Sequence, residues 1–266
     1  MSASDVIQSA SFCVRTADGG ERETPWAEVH ASAVVMSRPW RTFRWYKGQR
    51  HYSGFYWSST ERAHIIYESR LELTRLLFAD FDPTVQRIFA QPFMLKTSID
   101  GADRRHIPDY LLLTDTGPIV VDVKPRHRLD SPKVAFTLAW ARKVVESRGW
   151  RFEVWSEPPG IPLANVRFLA GYRRDWLFDQ GLIEKLRKID LAGASLGNAF
   201  ACLPHHAVPL VRSAVLHLLW RHEPTRTAAG GPVMMNIRLR RAGRGRGVAV
   251  SCRGRVRCDA PGGFSG

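Results

Sequence analysis

The chain has 266 residues, 39 Lys+Arg against 25 Asp+Glu, and a formal net charge of +14. A hydrophobic fraction of 44% is enough for a buried core and excludes a wholly disordered basic protein. Four cysteines make no disulfide framework, no apolar run approaches the ~18 residues of a spanning helix, and no basic-then-apolar leader opens the chain. A soluble, cytoplasmic protein with no membrane partner is therefore expected, and the charge points to a polyanion, nucleic acid first.

Residues 1–60 begin polar and turn aromatic and basic from Pro39 to Arg50. That run reads as an edge hairpin turning at Lys47-Gly48 with its aromatics on the core; base stacking is the alternative. From Thr60-Glu61 to Phe78 the chain reads as a helix, with Ile65, Leu73, Leu76 and Leu77 as its apolar stripe, ending near Asp82-Pro83. Three strand-like runs follow at 85–95, 107–113 and 118–124, rich in β-branched and apolar residues. The last two flank Thr114-Asp115-Thr116-Gly117, a hairpin-type turn. Ser131-Pro132 places an N-cap before a proline at the first helical position, and the helix so opened runs to about Arg148 and closes at Gly149. A further strand covers 152–155. The order α-β-β-β-α-β predicts an α/β fold with a mixed sheet flanked by helices. Beyond residue 160, helical spacing at 175–191 and 208–221 brackets a short apolar stretch at 196–203, compatible with a helix-turn-helix or winged-helix module. Residues 231–266 show little periodicity and are rich in Gly and Arg.

The chemistry concentrates on the central hairpin. Pro108-Asp109 opens one strand and Asp122-Val123-Lys124 closes the other. Side chains at i and i+2 share a strand face, so Asp122 and Lys124 point together while Val123 points to the core. A turn near Gly117 brings Asp109 beside them. Two hard oxygen donors suit Mg²⁺, which keeps several waters and takes few protein carboxylates. An adjacent ammonium holds a scissile phosphate or positions an attacking water. These are the requirements of metal-assisted phosphodiester hydrolysis. A third acid is expected from the preceding helix, where Glu68 and Glu72 lie four apart on one face.

Glu72, Pro108-Asp109 and Asp122-Val123-Lys124 on this framework resemble the PD-(D/E)XK motif of the restriction-endonuclease-like fold. With Glu68-Ser69-Arg70-Leu71-Glu72-Leu73, Asp80-Phe81-Asp82, Gln91-Pro92-Phe93, Ile107-Pro108-Asp109-Tyr110 and Val121-Asp122-Val123-Lys124-Pro125, the chain resembles the TnsA-like endonuclease subunit of heteromeric transposases over roughly residues 35–225. The resemblance selects Glu72 over Glu68 and implies four catalytic residues, Glu72, Asp109, Asp122 and Lys124. Asp109 and Asp122 would ligate Mg²⁺ (Mn²⁺ as a substitute), with the Val123 carbonyl as a further donor and Glu72 holding a second metal or a water of the metal's shell. Lys124 would position the nucleophile. Some family members carry Gln at the position of Asp122. The resemblance further implies cleavage of double-stranded DNA at the 5′ transposon ends, with an RNase-H-like transposase subunit and an AAA+ ATPase regulator as partners. Together with the composition it divides the chain into an N-terminal extension (1–34), a nuclease domain (35–158), a helical, winged-helix-like domain (159–232) and an Arg/Gly-rich tail (233–266) that departs from the family pattern and is expected to be disordered. Two rival readings are a catalytically inactive DNA-binding scaffold with this fold and a stand-alone restriction or repair nuclease.

Other candidates are weaker. Cys202 with His205-His206, and Cys252 with Cys258, lack zinc spacing. The arginine-interrupted glycines of 243–247 follow no strand and form no phosphate loop. His106 reads as an exposed strand-end residue, with an approach to the DNA backbone as the alternative, and Lys133, Arg142 and Lys143 as basic residues that either flank the cleft or are simply solvated. The tail carries eight arginines and one acid, +7 of the +14. It reads either as an arginine-rich arm that grips phosphates or as the product of a frameshift.

Overall fold

A computed structural model describes residues 5–35, 37–40, 52–191 and 194–223 in full, and the backbone alone of 3–4, 237–241 and 248–252. The chain divides into two units, Met1–Leu163 and Ala164–Gly266. Unit 1 runs α1 (Ala3–Gln8), β1 (Ser11–Arg15), β2 (Glu21–Pro25), β3 (Gly54–Ser58), β4 (Ala63–Tyr67), α2 (Arg70–Phe81), β5 (Val85–Ala90), β6 (Met94–Ile99), β7 (Ala102–His106), β8 (Tyr110–Thr114), β9 (Gly117–Val123), α3 (Arg126–Leu129), α4 (Pro132–Glu146) and β10 (Arg151–Trp155). The expected α-β-β-β-α-β order is present as α2, β5, β8, β9, α4 and β10. Its sheet has the order β10-β9-β8-β5, with β10 parallel to β9 and the other pairs antiparallel. A parallel pair needs a crossover, and α4 supplies it. The β8–β9 turn pairs Thr114 with Gly117, whose φ of 113° lies where only glycine sits without strain.

Residues 1–34, expected as an extension ahead of the nuclease domain, instead contribute to the core of unit 1. They supply β1 and β2 to a second sheet of order β2-β1-β6-β7. Phe12, Val14, Trp26 and Val34 are buried with Phe93 and Leu95, and on the same core lie Leu111, Val120, Phe152 and the Trp140, Ala141, Val144 and Val145 face of α4. Burying each large side chain contributes about 1.5–3 kcal/mol, so Phe12 and Trp26 alone tie this segment to the unit.

Two expected elements are redrawn. The helix expected from Thr60 begins only at Arg70, and residues 63–67 form β4, paired with β3. Ser69 is the true cap: its Oγ accepts the Glu72 N–H at 3.1 Å while Glu72 Oε2 accepts the Glu68 N–H at 2.7 Å, a variant of the capping box. Upstream, the turn of the β3–β4 hairpin gives its N–H groups to the Asp80 carboxylate, at 3.0 Å from Ser59 and 2.8 Å from Thr60. The run 85–95 breaks at Gln91-Pro92, where Gln91 takes φ 46° and Pro92 has no N–H to give to a ladder. Its second half becomes β6 of the other sheet.

α5 (Gly160–Leu169) spans the unit boundary, and unit 2 continues with α6 (Gln180–Arg187), α7 (Leu196–Phe200) and α8 (Val208–Trp220). The helix expected over 175–191 is shorter. A 3-10 turn at Asp175–Leu177 precedes α6, whose cap is Asp179, accepting the Leu182 N–H at 2.6 Å. Leu182, Ile183 and Leu186 of α6 and Val211, Val215 and Leu219 of α8 are buried in this unit. Within the tail read as disordered, β11 (Ile237–Arg241) and β12 (Val248–Cys252) pair antiparallel. The rest of the tail, including Cys258, and the hairpin expected at Lys47-Gly48 lie outside the described residues. Among the described residues no helix is long and apolar enough to cross a membrane.

Candidate active site

A cleft of about 1040 Å³ opens in unit 1, and Glu68, Glu72, Asp109, Val123 and Lys124 are among the residues lining it. Asp109 stands one residue before the Tyr110–Val121 pair, so the hairpin register sets it against the end of β9. Its Oδ2 accepts the Val123 N–H at 2.6 Å and the Lys124 ammonium at 3.2 Å. Lys124 Nζ also donates to the Val123 carbonyl at 3.1 Å and lies 3.7 Å from Asp122 Oδ1. The hairpin thus brings Asp109, Asp122 and Lys124 together as the strand periodicity predicts.

Burial pushes the Asp109 carboxyl above its ordinary value; Lys124 opposes this and Asp122 reinforces it. For Lys124, burial pulls the ammonium down, but Asp109 and Asp122 outweigh it and the group titrates above its ordinary value. Glu72 is pushed up to about 7, by burial first and by Asp109 second. Both of its carboxylate oxygens serve the start of α2, accepting from the Ser69 hydroxyl at 2.9 Å and the Glu68 N–H at 2.7 Å.

Asp122 is fully buried, and its Oδ1 has no hydrogen-bond partner. An orphaned carboxylate oxygen beside a second carboxylate fits a hard divalent cation. Among the described residues no group of three His, Cys, Asp or Glu side chains is placed to enclose an ion. Mg²⁺ needs no such cage, because it commonly binds through one or two carboxylates and keeps its waters. The donor set of Asp109, Asp122 and the Val123 carbonyl therefore fits this ion.

Several residues stand differently from the sequence reading. His106 is not an exposed strand end: only 11% of its side chain is exposed, and its Nε2 lies 2.7 Å from Asp122 Oδ2. No local pattern could reveal this, since the two residues sit on strands of different sheets. Glu68 lines the cleft beside Glu72, its Oε1 accepting from Gln91 Nε2 at 2.9 Å. Gln91 was visible in the Gln91-Pro92-Phe93 motif, but neither the strand break there nor the bond it makes was. Lys133 lines the cleft, joined by Arg105, His127 and Arg128, which sequence reasoning did not single out. Arg142 does not line it; it pairs with Glu146 at 3.0 Å and lies over the Phe152 ring. Lys143 does not line it either. In unit 2, His206 Nε2 lies 3.3 Å from Lys185 Nζ, and Cys202 is a free thiol.

Two carboxylates and a lysine at the ends of adjacent strands, in a mixed sheet flanked by helices, fit an α/β nuclease fold. Residues 82–157 match the family model of the TnsA-like endonuclease N-terminal domain, so this part of the chain is similar to that family of endonucleases. The match contains Asp109, Asp122, Val123 and Lys124, and begins after Glu68 and Glu72. A comparison with curated proteins finds no match.

Proposed function

We propose that the chain is the Mg²⁺-dependent DNA endonuclease subunit of a heteromeric transposase, acting in the cytoplasm and hydrolysing phosphodiester bonds at the 5′ transposon ends. Its partners would be an RNase-H-like transposase subunit and an AAA+ ATPase regulator. The observation that carries the reading is the buried Oδ1 of Asp122, without a hydrogen bond, beside Asp109 and Lys124. Asp109, Asp122 and the Val123 carbonyl would hold the metal, and Glu72 would hold a second ion or a water at the cleft wall. Bound Mg²⁺ would supply Lewis-acid polarisation of a phosphoryl oxygen and a water of lowered pKa.

The chain's own groups do the rest. Lys124, fixed by Asp109 and the Val123 carbonyl, keeps its ammonium charged and placed to neutralise charge developing on the phosphate. Arg105, Arg128 and Lys133 along the cleft would hold flanking phosphates. The helical order of unit 2 followed by a hairpin supports the winged-helix reading of the region after residue 159, a second DNA-binding surface.

The test is a reconstituted end-cleavage assay with the partner transposase and Mg²⁺. Asp109→Ala and Lys124→Ala should each lower 5′-end cleavage about 100- to 1000-fold, the scale on which removing a charge-stabilising group acts, while both proteins melt as cooperatively as wild type. Undiminished cutting by either variant would sink the assignment. Binding of ends without metal-dependent cutting by wild type would instead assign the inactive DNA-binding role, and cutting by the purified chain alone a stand-alone nuclease.

A further inference from the structure

Two aspartates of unit 1 are buried, and they are treated differently. Asp80 collects five donors: the Tyr56, Ser58 and Ser59 hydroxyls and the backbone N–H groups of Ser59 and Thr60. Both of its oxygens are satisfied, as a buried carboxylate with a structural task requires. Asp122 is buried more completely, yet one hydrogen bond reaches its side chain, between His106 Nε2 and Oδ2 at 2.7 Å. Its Oδ1 is left without one. The Lys124 ammonium stands 3.7 Å from Oδ1, beyond hydrogen-bond reach, whereas a fold that needed only to satisfy a buried Asp122 would hydrogen-bond both oxygens.

The donor itself is held. His106 ends β7, in the sheet β2-β1-β6-β7, whereas Asp122 lies on β9 of the other sheet. Its ring meets Trp140 of α4 edge-on, with centroids 6.1 Å apart and an interplanar angle of 83°. To hold the carboxylate as an acceptor, the imidazole must carry the proton of this bond on Nε2. We propose that His106 is a positioning residue of the nuclease centre: its bond to Oδ2 fixes the Asp122 carboxylate so that Oδ1 stays available to the divalent cation. The inference rests on the nuclease reading above and adds to it a residue outside the acidic and lysine motif. Partners of metal ligands of this kind are worth 10–100-fold in metal affinity or activity.

The experiment compares wild type with His106→Gln, His106→Phe, His106→Asn and Asp122→Asn in the full chain. Gln carries an amide nitrogen to the place of Nε2. Phe keeps a ring against Trp140 and has no donor, and the Asn amide is too short to reach. Mn²⁺ binding is measured by calorimetry without DNA, followed by thermal melts and by kcat and KM for end cleavage with the partner transposase. The Phe and Asn variants should bind Mn²⁺ about tenfold or more weaker and lose kcat with KM for DNA unchanged. The Gln variant should stay within about threefold of wild type. Wild-type Mn²⁺ affinity in a Phe or Asn variant that melts normally overturns the positioning role while the nuclease reading stands. If wild type binds no Mn²⁺, or Asp122→Asn binds it as wild type does, the metal centre and the inference fall together. Should both donor-free variants fail to fold, imidazole ¹⁵N spectra of wild type decide: a protonated Nε2 whose resonance shifts on Mg²⁺ addition supports the role, and a bare Nε2 overturns it.

Discussion

Glu72 occupies two roles at one position. As the third residue of α2 it closes the cap with Ser69, and as a wall of the cleft it faces Asp109. Burial and the charge of Asp109 raise its carboxyl to about 7, so in the metal-free protein the neutral form is favoured on folding. A carboxyl that binds its proton more tightly in the folded state gives its full stabilisation below the unfolded value, near 4.5, and loses it as pH rises through 7. A rise of this size corresponds to about 3 kcal/mol, of which the open side of the cleft leaves roughly 2. With EDTA present, the melting temperature should therefore climb between pH 8 and pH 6. Glu72→Gln should flatten that climb and melt higher than wild type at pH 8 by roughly 5 °C. The substitution keeps the cap, since the Gln carbonyl accepts the Glu68 N–H and the Ser69 hydroxyl can turn to accept from the new amide. A Gln variant that melts lower than wild type at pH 8 and follows the same pH curve would show that Glu72 is fully ionised at neutral pH.

Among the elements, α2 and the β3–β4 hairpin are one construction, joined by Asp80. Removing its carboxylate by Asp80→Ala strands two backbone N–H groups and three hydroxyls, and should cost about 3–5 kcal/mol of unit 1 stability in urea titrations followed by tryptophan fluorescence. Asp80→Asn, which keeps one acceptor, should cost about half as much. The same bonds explain what was legible in the sequence. Asp80 was visible in its motif, but the sequence stripe carried the helix back to Thr60, because Ile65 continues the spacing of Leu73 and Leu76. The competing hairpin depends on donors handed to a residue about 20 positions away, which periodicity does not record. The α4 start at Ser131-Pro132 and the β8–β9 turn were readable because both signals are local. β2 was not, since its sequence Glu-Arg-Glu-Thr-Pro is a polar edge defined only by pairing with β1. In the same way Asp109, Asp122 and Lys124 could be placed together from hairpin register, whereas His106 could not, its bond to Asp122 crossing between sheets.

For the whole molecule the question is charge. Half of the +14 lies in residues 233–266, carried by eight arginines against one acid, and three of those arginines fall at Arg238, Arg240 and Arg241 of β11. Residues 1–232 retain +7, so the cleft with Arg105, Arg128 and Lys133 does not depend on the tail for its basic character. Arginines that grip DNA without reading sequence act on its phosphates, and the salt dependence of binding counts such contacts. Each phosphate contact adds about 0.9 to the slope of log K against log salt. Deleting residues 233–266 should then reduce that slope by about 3, the contribution of the three arginines of β11, with Mn²⁺ binding unchanged because the proposed donors, Asp109, Asp122 and Val123, lie in unit 1. An unchanged slope would reject the arm and leave the tail's charge incidental to DNA binding, as expected of a frameshifted end. A slope that falls by about 6, matching the full charge removed, would extend the grip from β11 to the whole segment.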